Sequence, residues 1–263
     1  MKKNFFQGSV SVAGASGDLW AVEGGNFQVP EKLLQVSKAR LINQLVTAIT
    51  KLENGQYKLN VKGRSDIPIK DEKYVYDVVI IAAPQTGDMK NRLSLHNLNE
   101  KIEFSGNYHR TICTLIKGKL RDNFFHNKNP LVDEIFTTND KIIFNSIGRI
   151  TPVDYSPEKY NKSSVWKIFS QRVLTDLELM TLFTEVKDKY VKDWLAYPHY
   201  DTQFKKDSFV LDKNLYYINV IELAASAMEM SAIGARNVAL LTMKNWDKGR
   251  KVDKSQKNLK TEL

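Results

Sequence analysis

The chain has 263 residues, 42% hydrophobic and 26% charged, with a formal net charge of +9; that is long enough to bury one or two sizeable cores, and the balance excludes disordered and fibrous classes. A single cysteine, Cys113, excludes an internal disulfide and a cysteine-based zinc site, and the four histidines (His96, His109, His126, His199) are too scattered to suggest a metal centre. No apolar run reaches the roughly 18 residues of a membrane-spanning helix, and Met1–Gln7 is too short and broken to act as a secretory leader.

The positive charge is spread along the chain and thickens at its end, where Lys244, Lys248, Arg250, Lys251, Lys254, Lys257 and Lys260 fall together. Such a tail is a solvated segment, or a peripheral contact with an anionic membrane surface. Zinc-finger, RNA-recognition and helix-turn-helix signatures are missing, so no nucleic-acid partner is expected, and nothing points to a protein partner.

In chain order, Ser9–Ala13 alternates like a strand edge. Gly24-Gly25 permits a tight turn or the close approach of a ligand, and Pro30 is placed to open a helix through about Leu41. Ile42–Ile49 and Gln56–Val61 read as strands joined by an Asn54-Gly55 turn. Val78–Ala83, ending at Pro84, is a continuous apolar run of the kind found in a strand buried on both faces. Strands are then expected at Thr111–Leu120, Lys141–Ile150 and Ser164–Ser170. Thr175-Asp-Leu-Glu178 fits a capping box before a surface helix of about three turns containing Leu179, Leu182 and Phe183. Trp194–Tyr200 is too aromatic and proline-broken for an ordinary loop; it is a core plug or the wall of an apolar pocket. Asn161-Lys-Ser163 is a glycosylation sequon that matters only in a secretory compartment.

The stretch Leu215–Leu241 reads as a strand, Leu215–Val220, ending at Glu222 and passing at once into a helix from about Ala224 to Met243. Its first turns would hold Ala224, Ala225, Ser226 and Ala227, so short that a large flat ligand could lie against the helix-start N–H groups. The partial positive charge there suits an electron-rich ligand edge. A core helix packed on a sheet would show the same composition.

Four of these pieces occur in an order that resembles the prenylcysteine oxidase family: Leu19-Trp-Ala-Val-Glu-Gly-Gly-Asn26, Asp77-Val-Val-Ile-Ile-Ala-Ala-Pro84, the pair Val165-Trp-Lys-Ile-Phe-Ser170 and Trp194-Leu-Ala-Tyr-Pro-His-Tyr200, and Ile221-Glu-Leu-Ala-Ala-Ser-Ala-Met-Glu-Met-Ser231. The resemblance runs over nearly the whole chain to Lys260-Thr-Glu-Leu263, and the layout is more distantly similar to flavin-dependent amine oxidases. It implies an α/β (mixed α+β) fold, the C-terminal portion of an FAD-dependent amine-oxidase-like protein with a mixed sheet and a substrate domain. Residues 1–90 would be part of the FAD-binding domain, 91–205 a substrate domain made mostly of strands, 206–243 a return to the FAD-binding domain, and 244–263 a basic tail. The N-terminal glycine-rich βαβ unit of such proteins is not seen, since Gly8, Gly14 and Gly17 lack its spacing. The expectation is a chain truncated at its N-terminus, a fragment or a shortened product, that binds FAD weakly on its own and is inactive alone.

The resemblance also implies roles. Val46 would meet the adenine of FAD through its backbone, with Ala83 and Pro84 closing the same side. Glu222 would lie beside the cofactor, and Ser226, Ala227 and Met228 at the pyrimidine edge of the flavin ring. Trp194, Tyr197, Pro198 and Tyr200 would wall a cavity for the prenyl chain; for the last three, simple core packing stays open. The implied reaction is oxidation of farnesyl- or geranylgeranyl-cysteine, with FAD as hydride acceptor and oxygen as final oxidant, giving cysteine, a prenyl aldehyde and hydrogen peroxide. No side chain is assigned as catalytic, His199 included, and no metal is called for. The alternatives are a non-catalytic, lipid- or membrane-surface-binding remnant of the family and an oxidase of other apolar amines or thioethers. A lysosomal or secretory-lumen location follows from the resemblance alone.

Overall fold

The structure, a computed structural model, describes residues 20–63, 74–104, 106–121, 134–139, 141–154, 156, 164–200 and 207–259. The strand expected at Ser9–Ala13, the Asn161 sequon, His126 and the terminal tetrapeptide lie outside these residues.

Among the described residues helix α1 (Gln28–Ser37) comes first, then β1 (Leu45–Lys51), β2 (Tyr57–Lys62), β3 (Val75–Tyr76), β4 (Val79–Ile81) and β5 (Ser94–His96). Strands β6 (Tyr108–Leu120), β7 (Glu134–Phe136), β8 (Ser146–Ile150) and β9 (Ser164–Ser170) follow, then α2 (Asp176–Leu182) and the long β10 (Phe183–Pro198). After β11 (Val210–Asp212) and β12 (Leu215–Tyr217) comes a 3-10 turn, Asn219–Leu223, and finally α3 (Met228–Leu259). Two compact units result, the first drawn from Arg40–Tyr108 and Tyr197–Leu263, the second from Asp18–Ala39 and His109–Ala196. The architecture is mixed α/β, with sheets that combine parallel and antiparallel pairs.

In the second unit, the Gly-Gly turn takes positive φ at both glycines, 83° at Gly24 and 122° at Gly25, a region that side chains with a Cβ avoid. The Asn26 side chain accepts from the Val22 N–H at 2.8 Å and fixes the turn. Helix α1 starts at Gln28, two residues ahead of Pro30, and stops when Lys38 adopts φ 55°. The five-stranded sheet has the order β10-β6-β9-β8-β7. One of its faces carries Ile116, Ile147, Trp166 and Ile168 into a core shared with Phe144, Leu179, Leu182 and Phe183. Helix α2 begins with the expected capping box: Thr175 Oγ1 accepts from the Glu178 N–H while the Glu178 carboxylate accepts from the Thr175 N–H. The Arg172 guanidinium beside Glu178, with the Thr175 hydrogen bonds, holds that carboxyl down at about 2. The helix is shorter than expected because Phe183 turns extended, φ −118°, and begins β10. Strand β10 then runs to Pro198, so Trp194–Pro198 is the end of a strand.

In the first unit, β1 and β2 form the expected antiparallel hairpin, and β5 adds to β1 in parallel. Gly55 takes φ 84°, and Asn54 Oδ1 accepts from the Gln56 N–H at 3.0 Å, so each residue of the Asn-Gly pair does what its side chain, or the lack of one, allows. The apolar run at 78–83 does not make a strand buried on both faces. Strand β4 is three residues long; Val79 and Ile81 are buried while Ile80 is 45% exposed. Among the described residues β4 pairs with β12 alone, at the edge of a sheet ordered β11-β12-β4, and a strand with cover on one face alternates. The core of this unit joins Ile49, Tyr57, Val79, Ile81, Leu215 and Tyr217.

A buried ion pair locks the hairpin to β11. Lys51 Nζ reaches both oxygens of Asp212 at 3.0 and 2.9 Å, and Asn99 and the Lys213 N–H donate to the same carboxylate. Burial opposes ionisation of Asp212, but these donors and the Lys51 charge outweigh it and hold the carboxyl below its ordinary value. A carboxyl whose folded value is depressed contributes stability above its unfolded value, near 3.9, and that stability is lost as pH falls through the folded value. Urea midpoints of the wild type should therefore decline more steeply below about pH 4 than those of Asp212→Asn, which keeps the shape but not the charge.

Candidate functional site

Strand β12 is the most deeply buried element of the first unit, with Leu215, Tyr216 and Tyr217 all inside. Directly after it the chain departs from expectation. Ile218–Val220 do not continue the strand but turn into the 3-10 segment, so Glu222 projects from a turn. Ala224–Ala227 are not helical, and α3 starts four residues late, at Met228. Ile221 explains the geometry: it packs so closely on Gly234 that a Cβ there would lie 3.0 Å from Ile221 Cγ2. The turn thus brings α3 against itself, and Ala224–Ala227 bridge the two.

Three tyrosines fix this join. The Tyr108 hydroxyl donates to Glu222 Oε2. The Tyr200 hydroxyl accepts from the Ser226 N–H at 2.9 Å. The Tyr217 hydroxyl accepts from the Gln85 N–H at 3.3 Å, and the buried Gln85 side chain ties Ala83 O (3.1 Å) to the Leu93 N–H (2.8 Å). Burial first, and then the Glu222 carboxylate, pushes the Tyr108 phenol far above its ordinary value; burial likewise raises Tyr200 and lifts Tyr217 to about 12. Tyr108 therefore remains a donor at any physiological pH. Asp88 anchors the base of this arrangement, accepting from Thr86 Oγ1 and from the Tyr108 N–H, both at 2.6 Å.

Around this join the structure presents donors without acceptors and an acceptor without a donor. Ser231 is the first residue of α3 whose N–H bonds within the helix, to Ala227 O at 3.0 Å. The N–H groups of Met228, Glu229 and Met230 have no acceptor among the described residues. Asn219 Oδ1, on the 3-10 turn, is buried and accepts no hydrogen bond among the described residues. Side chains no larger than serine precede these donors.

The residues singled out in the sequence are distributed as follows. Glu222, Ser226, Ala227, Met228, Tyr197, Pro198 and Tyr200 all fall in the first unit, and the Tyr200–Ser226 bond joins two of them directly. The rings of Tyr197 and Tyr200 stack, with centroids 6.3 Å apart, and Pro198 is buried. Ser226 spends its N–H on Tyr200, so the donors at the helix start are Met228–Met230 and not Ser226. Val46 is half-buried at a bulge in β1, opposite Val61; Ala83 and Pro84 follow β4, with Ala83 exposed. Trp194 is half-buried in the second unit. Cys113 is buried in β6, and burial raises its thiol. Tyr108, Gln85 and Asn219 were not legible as site residues: Tyr108 meets Glu222 114 positions away, the Gln85 N–H meets Tyr217 132 positions away, and Asn219 lies in a stretch read as strand.

A family model described as prenylcysteine lyase matches residues 1–255. The chain belongs to the prenylcysteine lyase family. It is 38% identical over 283 residues to prenylcysteine oxidase 1 of Homo sapiens and of Pongo abelii, covering 99% of this chain and 54% of each relative. It is 32% identical to the human prenylcysteine oxidase 1-like protein, over 92% of this chain and 50% of that one. The chain thus spans about half the length of the curated relatives it matches.

Proposed function

We propose that this chain carries the flavin-ring platform and the substrate-binding unit of an FAD-dependent prenylcysteine oxidase with an amine-oxidase-like fold. The observation that supports it is the set of three unpaired N–H donors, Met228–Met230, behind the small side chains of Ala224–Ala227, in a chain of the prenylcysteine lyase family. The residues fit the group. The donors suit the electron-rich edge of an isoalloxazine ring, short side chains admit a flat body, and the unsatisfied Asn219 oxygen suits a hydroxyl such as those of the ribityl chain. FAD bound there would supply a two-electron acceptor for the carbon next to the thioether sulfur; one water, which provides the aldehyde oxygen, and one O2, which takes the electron pair, are consumed, and cysteine, a prenyl aldehyde and hydrogen peroxide are the products.

The chain's own residues hold and shape. Tyr200 braces the segment before α3, Tyr108 keeps Glu222 in place, Val46, Ala83 and Pro84 border the adenine side, and Tyr197 and Pro198 with Trp194 contribute apolar wall. A lysosomal or secretory-lumen location goes with this reading.

Titration of the purified chain with FAD, followed by flavin fluorescence, should show weak but saturable quenching. Met228→Pro sharpens the test. Proline at a first helical position keeps the helix but has no N–H, so FAD affinity should fall about tenfold while stability holds, the loss expected for one hydrogen bond to a charged edge. Absence of quenching in the wild type would sink the oxidase reading for this chain and favour a non-catalytic lipid-binding role, which the exposed Ile233, Leu240 and Met243 of α3 would serve.

A further inference from the structure

The five-stranded sheet of the second unit has two faces, and the core uses one. Register defines the other. Leu115 of β6 lies opposite Lys167 of β9, Lys167 opposite Gly148 of β8, and Gly148 opposite Glu134 of β7. Residues directly opposite point to the same side of a sheet, so one row across four strands reads Leu115, Lys167, Gly148, Glu134. The neighbouring row contains Phe169 and, two strands away, Phe136.

This row combines three properties. Lys167 and Glu134 bear opposite charges, two strand spacings apart, about 10 Å between backbones. Gly148 sits between them without a side chain, and the Glu134 carboxylate leans over it, its Oε1 3.3 Å from where a Cβ would be. The Lys167 ammonium lies 5.3 Å from the Phe169 ring centroid and, among the described residues, has no carboxylate partner. Beside this charged gap the surface is apolar: Leu115 and Phe169 are half-buried, and Phe136 is 74% exposed. A lysine over an aromatic ring, a glycine floor and a facing carboxylate match a zwitterion, whose carboxylate pairs with the ammonium and whose ammonium pairs with the carboxylate. The adjoining phenylalanines match an isoprenoid tail.

We infer that Lys167, Gly148 and Glu134 form a head-group clamp for the amino-acid end of an S-prenylcysteine, with the prenyl chain running over Phe169 and Phe136. This rests on the proposed oxidase reading for the identity of the ligand. It adds a specificity: the clamp demands a free carboxylate and a free amine on the cysteine, and it recognises each with a different residue.

The test is equilibrium binding of S-farnesylcysteine, its methyl ester and its N-acetyl derivative to the full chain, followed by tryptophan fluorescence. Wild-type protein should bind the free amino acid about fivefold more tightly than either blocked form, the yield of a partly solvated charge pair. Lys167→Met should abolish discrimination against the methyl ester and keep that against the N-acetyl form; Glu134→Gln should do the reverse. Lys167→Arg should behave as wild type. Retained affinity for the blocked ligands shows that each variant is folded. Unchanged discrimination in both charge variants would overturn the clamp and leave the oxidase reading standing, whereas wild-type protein that binds none of the three ligands would overturn both.

Discussion

Gly118→Ala is expected to lower the stability of the second unit by about 3 kcal/mol, the upper end of the cost of overpacking. Gly118 lies in β6 beside β10, its neighbour in the sheet, and a Cβ there would sit 2.1 Å from the Glu185 carbonyl oxygen and 3.2 Å from its carbon. Both atoms are backbone, so no rotamer change can relieve the clash; β10 has to move away from β6, stretching the pairing of the two longest strands of the sheet. Gly148 supplies the contrast. A Cβ there would meet the flexible Glu134 side chain at 3.3 Å, which can swing aside, so Gly148→Ala should cost well under about 1 kcal/mol. Thermal unfolding should show the difference as a drop of roughly 6–12 °C for the first variant and little for the second. Equal melting temperatures for the two would mean that β10 does not approach β6 as closely as the structure places it.

What could be read from the sequence, and what could not, follows the range of the interactions involved. The Asn54-Gly55 turn and the Thr175–Glu178 capping box were legible because each is complete within a few residues, and both are present in the structure. The apolar run at 78–83 misled because composition does not reveal how many faces of a strand are covered; one face of β4 is open, and Ile80 lies on it. The start of α3 was misplaced by four residues for a related reason. Alanine favours helix wherever it stands, but at Ala224–Ala227 the close packing of Ile221 on Gly234 and the Tyr200–Ser226 bond decide the backbone instead. The row Leu115, Lys167, Gly148, Glu134 is invisible in one dimension, because register alone brings those residues side by side.

Tyr108→Phe should carry the largest effect on the proposed flavin platform. Its ring stays buried and its N–H stays bonded to Asp88, so packing and backbone are kept and a single hydroxyl is removed. That hydroxyl is the donor to Glu222, and a half-buried carboxylate left without its donor costs about 1–3 kcal/mol. Glu222 stands on the turn that Gly234 packs against, so releasing it loosens the approach of α3 and the donors at Met228–Met230. Urea unfolding should register a loss of about 2 kcal/mol, and FAD affinity should fall about tenfold. Glu222→Leu removes the other partner, and once either is gone the second substitution has less to break. The double variant should therefore lose at least about 1 kcal/mol less than the sum of the two single losses. Strictly additive losses would show that Tyr108 and Glu222 act independently, and the join between β12 and α3 would then owe its geometry to the packing of Ile221 on Gly234 and to the Tyr200–Ser226 bond.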